Sequence, residues 1–288
     1  MSDLTGNGSS SSAAGAERMP GDEGLYFANR TFAEVRRMIE DPRPVVLLLP
    51  VGSTEPHGPH SPLATDPIIS AAMCLRVARS LREDPDLQAS ILPEVGYGVT
   101  RFTAAWPGHI HVEEETLLAF LRDICVSLSE QGLPHVVFVN NHFEPAHVRT
   151  LHRAMAAAEE RTGNVVGYLD LTRKHRAALL TEEVREGGSH AGQYETSIVL
   201  AARPGLVDEE LMRTLPPAPK NLAAEIAAGR ADFVEMGLDD AYNGTPAEAT
   251  VAEGTRSLAA LEEMLTQQVR DLAAGSGGQD GPGLYFRV

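Results

Sequence analysis

The chain has 288 residues, 43% of them hydrophobic, which is enough for one large domain or two small ones with a sizeable buried core. Its 24 basic and 40 acidic residues give a formal net charge of −16, so its field repels nucleic-acid phosphates and anionic lipid surfaces. No stretch approaches the roughly 20 apolar residues of a membrane-spanning helix, and the first residues do not resemble a signal peptide. We therefore expect a cytoplasmic protein without nucleic-acid or membrane partners.

Composition divides the chain into a body and two tails. Residues 1–22 are rich in Gly, Ser and Ala and cannot bury enough apolar surface to offset their ordering entropy, so they are predicted to form a disordered tail. Residues 274–288 begin with a similar run and are predicted to form a flexible C-terminal tail. Residues 23–273 then form a single domain. Cys74 and Cys125 lie in apolar helical segments and are expected to be buried thiols.

Short apolar runs alternate with segments of helical period along the body. Residues 45–52, 89–96, 135–141 and 164–171 are predicted strands, and residues 66–83, 112–132 and 144–163 are predicted helices. The strands are apolar almost throughout, which is typical of a sheet covered on both faces. The alternation predicts a three-layer α/β/α fold with a mostly parallel central sheet.

A dense polar cluster follows the first predicted strand, in the segment GSTEPHGPHSPLATD. It holds Glu55, His57, His60 and Asp66 within twelve residues, all of them types that bind metals. Because Glu55 and His57 are two residues apart, an extended backbone would place both side chains on one face. Asp66 lies at the start of a predicted helix, where it could also serve as a cap. We expect His60 to support the ligands rather than bind metal itself.

A second cluster, NNHFEPAH, follows the third predicted strand and repeats the spacing with His142 and Glu144. Ligands in open α/β sheets bind outside the carboxyl ends of the strands, so both clusters should converge on one edge. Two carboxylate and imidazole pairs with one further aspartate suit a pair of divalent ions about 3.5–4 Å apart. Mixed nitrogen and oxygen ligands favour Zn, Mn or Fe over Ca or Mg.

These residues resemble the creatininase (creatinine amidohydrolase) family over roughly residues 25–270. The family pattern is present as PVGSTEPHGPHSPLATD at 50–66, and weaker matches follow at WPGHIHV (106–112), SHAGQYETS (189–197) and NGTPAEATVAEG (243–254). The resemblance implies two divalent ions per subunit, most often Zn. One would be held by Glu55 and His142, the other by His57 and Glu144, with Asp66 bridging them. It also implies a homo-oligomer, commonly a hexamer, that acts on a small molecule.

The resemblance places further residues around these metals. His190 would move a proton between water and the leaving nitrogen, although it could instead only hydrogen-bond a loop, and Glu195 would orient it or anchor its helix. Glu144 would act in catalysis as well as in metal binding. Phe143, which lies between two predicted ligands, is a predicted substrate contact. Creatinine itself is doubtful, because Ser189 stands where the creatinine-hydrolysing branch has a glutamate.

A loop upstream of the second cluster supplies the other predicted substrate contacts, which are Thr100, Arg101, Trp106 and His109. Arg101 could pair with a substrate carboxylate or phosphate, and a solvated surface arginine is an equally good interpretation. The two-residue spacing of His109 and His111 makes them alternative metal ligands, but the five-residue set already fills two metals. His109 is therefore expected to contact substrate, and His111 to serve in packing.

The predicted function is hydrolysis of an amide-like C–N bond, in a cyclic amide or a formamide, by attack of a metal-bridged hydroxide. Family relatives keep two alternatives open on the same site: a peptidase of the mycofactocin-precursor type, and a keto-inositol or lactone-type ring hydrolase. A non-catalytic metal-binding protein is disfavoured, because structural zinc sites are usually closed and rich in cysteine.

Overall fold

The computed structural model describes residues 21–188 and 190–276. Its strands are β1 (Val45–Val51), β2 (Gln88–Ile91), β3 (His135–Asn140) and β4 (Gly167–Tyr168). Its longer helices are α1 (Phe32–Glu40), α2 (Thr65–Ser80), α3 (Glu114–Glu130), α4 (Pro145–Thr162), α7 (Gln193–Ala202) and α10 (Val251–Ala273). The shorter ones are α5 (Lys174–Ala177), α6 (Glu182–Arg185), α8 (Glu209–Met212) and α9 (Leu222–Ala227), with 3₁₀ turns at Asp22–Leu25, Phe27–Asn29, Pro204–Leu206 and Pro246–Glu248.

The four strands form a parallel sheet in the order β2-β1-β3-β4. The chain leaves β1 toward β2 on one side and later returns to β3 on the other side of β1. That reversal opens a crevice beyond the carboxyl ends of β1 and β3, which is where open α/β sheets bind ligands. Both polar clusters of the sequence lie there.

Helices cover both faces of the sheet, as the sequence predicts. Alternate residues of β1 point to opposite faces, so Val46 and Leu48 pack against α2, α7 and α10, whereas Leu47 and Leu49 pack against α3 and α4. Both cores are almost completely shielded from solvent, and each buried cysteine lies in one of them. The three-layer α/β/α prediction is confirmed.

Two predicted strands are shorter in the structure than in the sequence pattern. The run 89–96 forms a continuous strand only as far as Ile91, after which a single bridge joins Val95 to Val51, and the run 164–171 pairs only at Gly167 and Tyr168. Pro93 has no N–H to donate to a neighbouring strand, which accounts for the early end of β2. The three predicted helices match α2, α3 and α4 within about two or three residues at each end.

The predicted tails fall mostly outside the described residues. Asp22, assigned to the first tail, is buried and forms ion pairs with Arg79 and Arg82 of the segment that ends α2. Within the described part of the chain, no helix combines the length and apolarity that crossing a membrane requires.

Candidate metal centre

Four segments meet beyond the carboxyl ends of β1 and β3. They are the segment 52–66 after β1, the segment 98–103 after β2, the segment 141–144 after β3, and the segment 190–195 that leads into α7. Together they bury eight side chains with metal-ligating or acid–base chemistry: Glu55, His57, His60, Asp66, His142, Glu144, His190 and Glu195.

The first group of candidate ligands is Glu55, Asp66 and His142. His142 Nδ1 lies 3.0 Å from Glu55 Oε1 and 3.1 Å from Asp66 Oδ2. One donor atom from each residue lies within 4.8 Å of the others, so one cation could contact all three. The second oxygen of Glu55 accepts hydrogen bonds from the hydroxyls of Thr100 and Thr103, which fixes the carboxylate in this orientation.

The second group is His57, Asp66 and Glu195, and it shares Asp66 with the first. His57 Nε2 lies 3.0 Å from Asp66 Oδ1 and 3.7 Å from Glu195 Oε2. Because the two oxygens of Asp66 face different groups, this carboxylate is placed to bridge two cations. Asn141 donates to Glu195 Oε1 at 3.0 Å, and the backbone N–H of Ala191 donates to Oε2 at 2.7 Å.

Backbone carbonyls fix the tautomers of three histidines. The carbonyl contacts, each 2.9 Å long, join His57 Nδ1 to Glu55 O, His142 Nε2 to Val99 O, and His190 Nε2 to Pro56 O. Since a carbonyl only accepts, each of these nitrogens must carry hydrogen, and in the neutral ring the other nitrogen presents a lone pair. In His57 and His142 that lone pair faces a carboxylate at about 3 Å, an arrangement that requires a proton or a cation between them.

The electrostatics of the centre also indicate a cation. Burial raises the pKa of Glu195 to about 8 and raises that of Glu144 above its ordinary value. Burial alone would lower the pKa of His57, but the Asp66 and Glu195 carboxylates raise it to about 9. Asp66 Oδ2 is moreover a buried oxygen without a hydrogen-bond partner among the described residues. These donors therefore fit two divalent cations, whose four positive charges would balance the carboxylates of Glu55, Asp66, Glu144 and Glu195.

Glu144 has a different environment from the one that its spacing suggests. Its Oε2 accepts hydrogen bonds from the backbone N–H groups of Arg101 at 2.7 Å and Phe102 at 3.2 Å. It belongs to none of the candidate ligand groups within the described ranges, whereas Glu195 does. Glu144 nevertheless lines the cavity next to the centre, where its raised pKa suits it to proton transfer.

His190 lies against both the centre and the cavity. Its ring stacks on His57 with centroids 4.4 Å apart, and its Nδ1 is 3.9 Å from Glu55 Oε1. Burial and the neighbouring His57 lower the pKa of His190 to about 4, so the ring is neutral at neutral pH. The adjacent Ala191 adopts a left-handed φ of 50°, an unfavourable conformation for alanine that brings its N–H onto Glu195. Ser189, singled out in the sequence, lies outside the described residues.

Of the five predicted substrate contacts, only Phe143 lines this cavity. Thr100 bonds Glu55, and His109 Nε2 donates to the Thr100 carbonyl at 2.9 Å. Arg101 is 45% exposed and pairs with Glu113 and Glu114 on the surface. Trp106 donates from its indole N–H to the Asp239 carbonyl at 3.3 Å and packs outside the cavity wall.

His60, predicted to support the ligands, has its Nε2 2.9 Å from the Thr196 hydroxyl, and no hydrogen bond among the described residues joins its side chain to Glu55 or Asp66. The sequence does not single out Asn141, Phe102, Leu222, Ala223, Ile226 or Phe233, all of which line the cavity. Asn141 precedes a predicted ligand directly, which was the available signal. The others come from segments without a metal-binding pattern.

Comparison with known proteins identifies the family of this chain. The family model described as creatinine amidohydrolase, of the creatininase family, matches residues 28–269. The chain belongs to the creatininase family. The resemblance in its motifs is thereby confirmed, and the chain is a hydrolase of this family.

Individual family members agree with the assignment. The mycofactocin precursor peptide peptidase of Mycolicibacterium smegmatis is 31% identical over 218 residues, which cover 75% of this chain and 81% of that protein. The creatinine amidohydrolase of Pseudomonas putida is 29% identical over 190 residues, which cover 60% and 70% respectively. A solved structure titled "Creatininase Mn" superposes with a TM-score of 0.68 at 22% identity and covers 86% of this chain and 98% of its own. This last likeness confirms the creatininase fold.

Proposed function

We propose that this creatininase-family chain is a two-metal amidohydrolase that cleaves an amide-like C–N bond of a small molecule. The observation that carries the proposal is the pair of ligand groups that share Asp66 and border a cavity. A structural metal site would be closed by its ligands, whereas this one opens onto space for a substrate and water.

The geometry supports a different ligand set from the one that the family spacing implies. We assign Glu55, His142 and Asp66 to one metal, and His57, Asp66 and Glu195 to the other. Glu195 replaces Glu144 in this set because its carboxylate lies beside His57, while the Glu144 carboxylate is turned onto backbone amides. Zinc or manganese suits these nitrogen and oxygen ligands, with iron as a further possibility.

When bound, two such cations would lower the pKa of water and polarise a substrate carbonyl. Glu144 then accepts the proton of the attacking water and delivers it to the leaving nitrogen. Its Oε2 is held by two backbone amides, which leaves Oε1 for this exchange. The neutral His190 ring presents its Nδ1 lone pair to the cavity side of Glu55, where it can accept a hydrogen bond from water or from a substrate N–H.

The size of the cavity favours a small substrate. Its volume is about 50 Å³, space for about four water molecules at 10–15 Å³ each. A peptidase is the second candidate, since the mycofactocin precursor peptide peptidase matches a larger share of this chain than the creatinine amidohydrolase does. A peptide would enter only by its end.

Elemental analysis of protein purified without added metal, paired with hydrolysis assays, tests the proposal. The substrates are creatinine, small lactams, formamides and short peptides. We expect about two Zn, Mn or Fe ions per chain and turnover of at least one amide. His57→Asn should lose metal and turnover, whereas the matched His135→Asn, at the start of β3, should lose neither. Absence of bound metal after reconstitution would overturn the mechanism.

The predicted homo-oligomer is part of the same proposal. Light scattering coupled to size-exclusion chromatography measures the mass of the assembly directly. A hexamer is expected from the family resemblance, and a monomer would contradict it.

A further inference from the structure

We infer that the substrate carries a short, uncharged apolar group beside its scissile amide, held in an apolar subsite of the cavity that adjoins the metal centre. This inference rests on the proposed amidohydrolase function and adds the substrate class. The subsite is the apolar wall of the cavity, which comprises Phe102, Phe143, Leu222, Ala223, Ile226 and Phe233.

The cavity is lined by two chemically different sets of residues. One set comprises the carboxylates, histidines and Asn141 of the metal centre, and the other is the apolar subsite. A substrate that offers only polar groups, such as a compact urea-like ring, would leave that wall without a partner. Burial of an apolar group there removes both surfaces from water and contributes binding free energy.

Helix α9 supplies the open part of this wall. Leu222, Ala223 and Ile226 lie at positions i, i+1 and i+4, which share one face of a helix, and that face lines the cavity. None of the α9 residues is fully buried, so part of each apolar side chain remains available to contact a substrate. Substrate would complete their burial.

The rigid part of the wall is Phe233. Its side chain is only 2% exposed, and its ring lies 5.6 Å from the Phe102 ring and 4.7 Å from the His190 ring between centroids. Phe233 therefore joins the apolar wall directly to the metal centre. A group in the subsite would lie next to the bond that is cleaved.

The wall also determines the charge of the group. No Lys or Arg is among the described residues that line the cavity, and Arg101 is paired with surface glutamates instead. A substrate carboxylate in this subsite would be desolvated without a Lys or Arg counter-ion from the described lining residues. A short acyl or alkyl group fits both the chemistry and the volume of about 50 Å³.

A series of hydroxamates tests the subsite in the metal-loaded enzyme, because this head group chelates metals and the acyl chain can be varied. The series is formo-, aceto-, propiono- and isovalerohydroxamate, with the charged monohydroxamate of succinic acid as the polar comparison. Affinity should rise about fourfold per methylene until the cavity is full, and the charged member should bind more weakly than its uncharged counterparts. Trp106, the sole tryptophan of the chain, packs against the Phe233 cluster, so its fluorescence reports binding without turnover.

Three variants separate the subsite from general structural effects. Leu222→Asn should weaken isovalerohydroxamate about tenfold and leave formohydroxamate nearly unchanged. Ala223→Leu should fill the subsite, with a similar loss for the long acyl chain alone. Leu179→Asn is the matched control at a residue that is 61% exposed elsewhere, and it should change neither affinity.

The outcomes distinguish the two proposals. Equal affinity across the hydroxamate series, or equal losses for short and long members in Leu222→Asn, would overturn the subsite and leave the amidohydrolase standing. Failure of every hydroxamate to bind the metal-loaded protein would overturn both. Stronger binding of the succinic member than of propionohydroxamate would replace the apolar subsite by an anionic one.

Discussion

Replacement of Glu195 by glutamine tests the assignment of the second metal most directly. The change keeps the size of the side chain and removes its charge. In the wild type, Glu195 Oε1 accepts from Asn141 and Oε2 accepts from the Ala191 N–H. Glutamine has one acceptor oxygen, so one of these two donors loses its partner, at a cost of about 1–3 kcal/mol. We expect a folded protein of lower stability.

The effect on metal binding should be larger and confined to one ion. Replacement of residues that merely support a ligand costs about 10–100-fold in metal affinity, so loss of a charged direct ligand should cost at least about 100-fold. The ion held by Glu55, His142 and Asp66 should stay. Elemental analysis after gel filtration should fall from about two ions per chain to about one, and titration against a chelating dye gives each affinity.

Glu144→Gln is the matched control for this experiment. It removes the same charge from the same cavity but from a carboxylate bonded to backbone amides. We expect both metals to stay while turnover is lost, since Glu144 is assigned the proton transfer. Retention of both metals in Glu195→Gln, with loss of one in Glu144→Gln, would refute the assignment and restore the ligand pairing that the family resemblance implies.

Three further predictions concern the packing around the metal centre and the contribution of the metals to stability. Gly98→Ala would place a Cβ 2.7 Å from His147 Nδ1 and 2.8 Å from the Gly52 carbonyl, so urea denaturation should show a loss of about 1–3 kcal/mol. Gly254→Ala would place a Cβ 1.8 Å from the Ser197 carbonyl, so α10 would have to move away from α7. We expect a greater loss of stability than for Gly98→Ala, and weaker metal binding because Glu195 lies on α7. A metal affinity equal to that of the wild type would contradict this. Removal of the metals by a chelator should lower the melting temperature, because free metal at 100 times its Kd contributes about 2.7 kcal/mol per site, and calorimetry with and without chelator measures the difference.

The sequence specified the sheet and the helices that flank it because their patterns are local. Continuous apolar runs predicted β1 and β3, and glycines such as Gly163, with φ of 72°, marked the end of a helix. Helices α7 and α10 were not predicted from periodicity. Nine of the ten residues of α7 are buried, so it lacks a polar face that would reveal its period.

The residues of the site also divide into those that a local sequence motif predicts and those that it does not. Glu55, His57 and Asp66 lie in one contiguous motif, and the structure brings their side chains together. Glu195 meets its hydrogen-bond partner Asn141 across 54 residues of sequence, and four of the six residues of the apolar wall come from segments that follow residue 220. Local spacing in the sequence cannot predict these long-range contacts, because they depend on how α7 and α9 pack over the edge of the sheet.

The position of Glu144 shows why two ligand pairs with the same sequence spacing have different roles. Both ligand pairs are two residues apart, but Glu144 is also the residue that precedes α4, with φ of −58° and ψ of 128°. The Pro145 that follows disfavours a helical backbone at Glu144, so Glu144 keeps an extended conformation and α4 begins only at Pro145. Its carboxylate then finds the free N–H groups of Arg101 and Phe102, which a loop cannot satisfy by itself. The position beside His57 falls to Glu195, and Glu144 keeps a raised pKa and a place in the cavity, the two properties that a proton carrier needs.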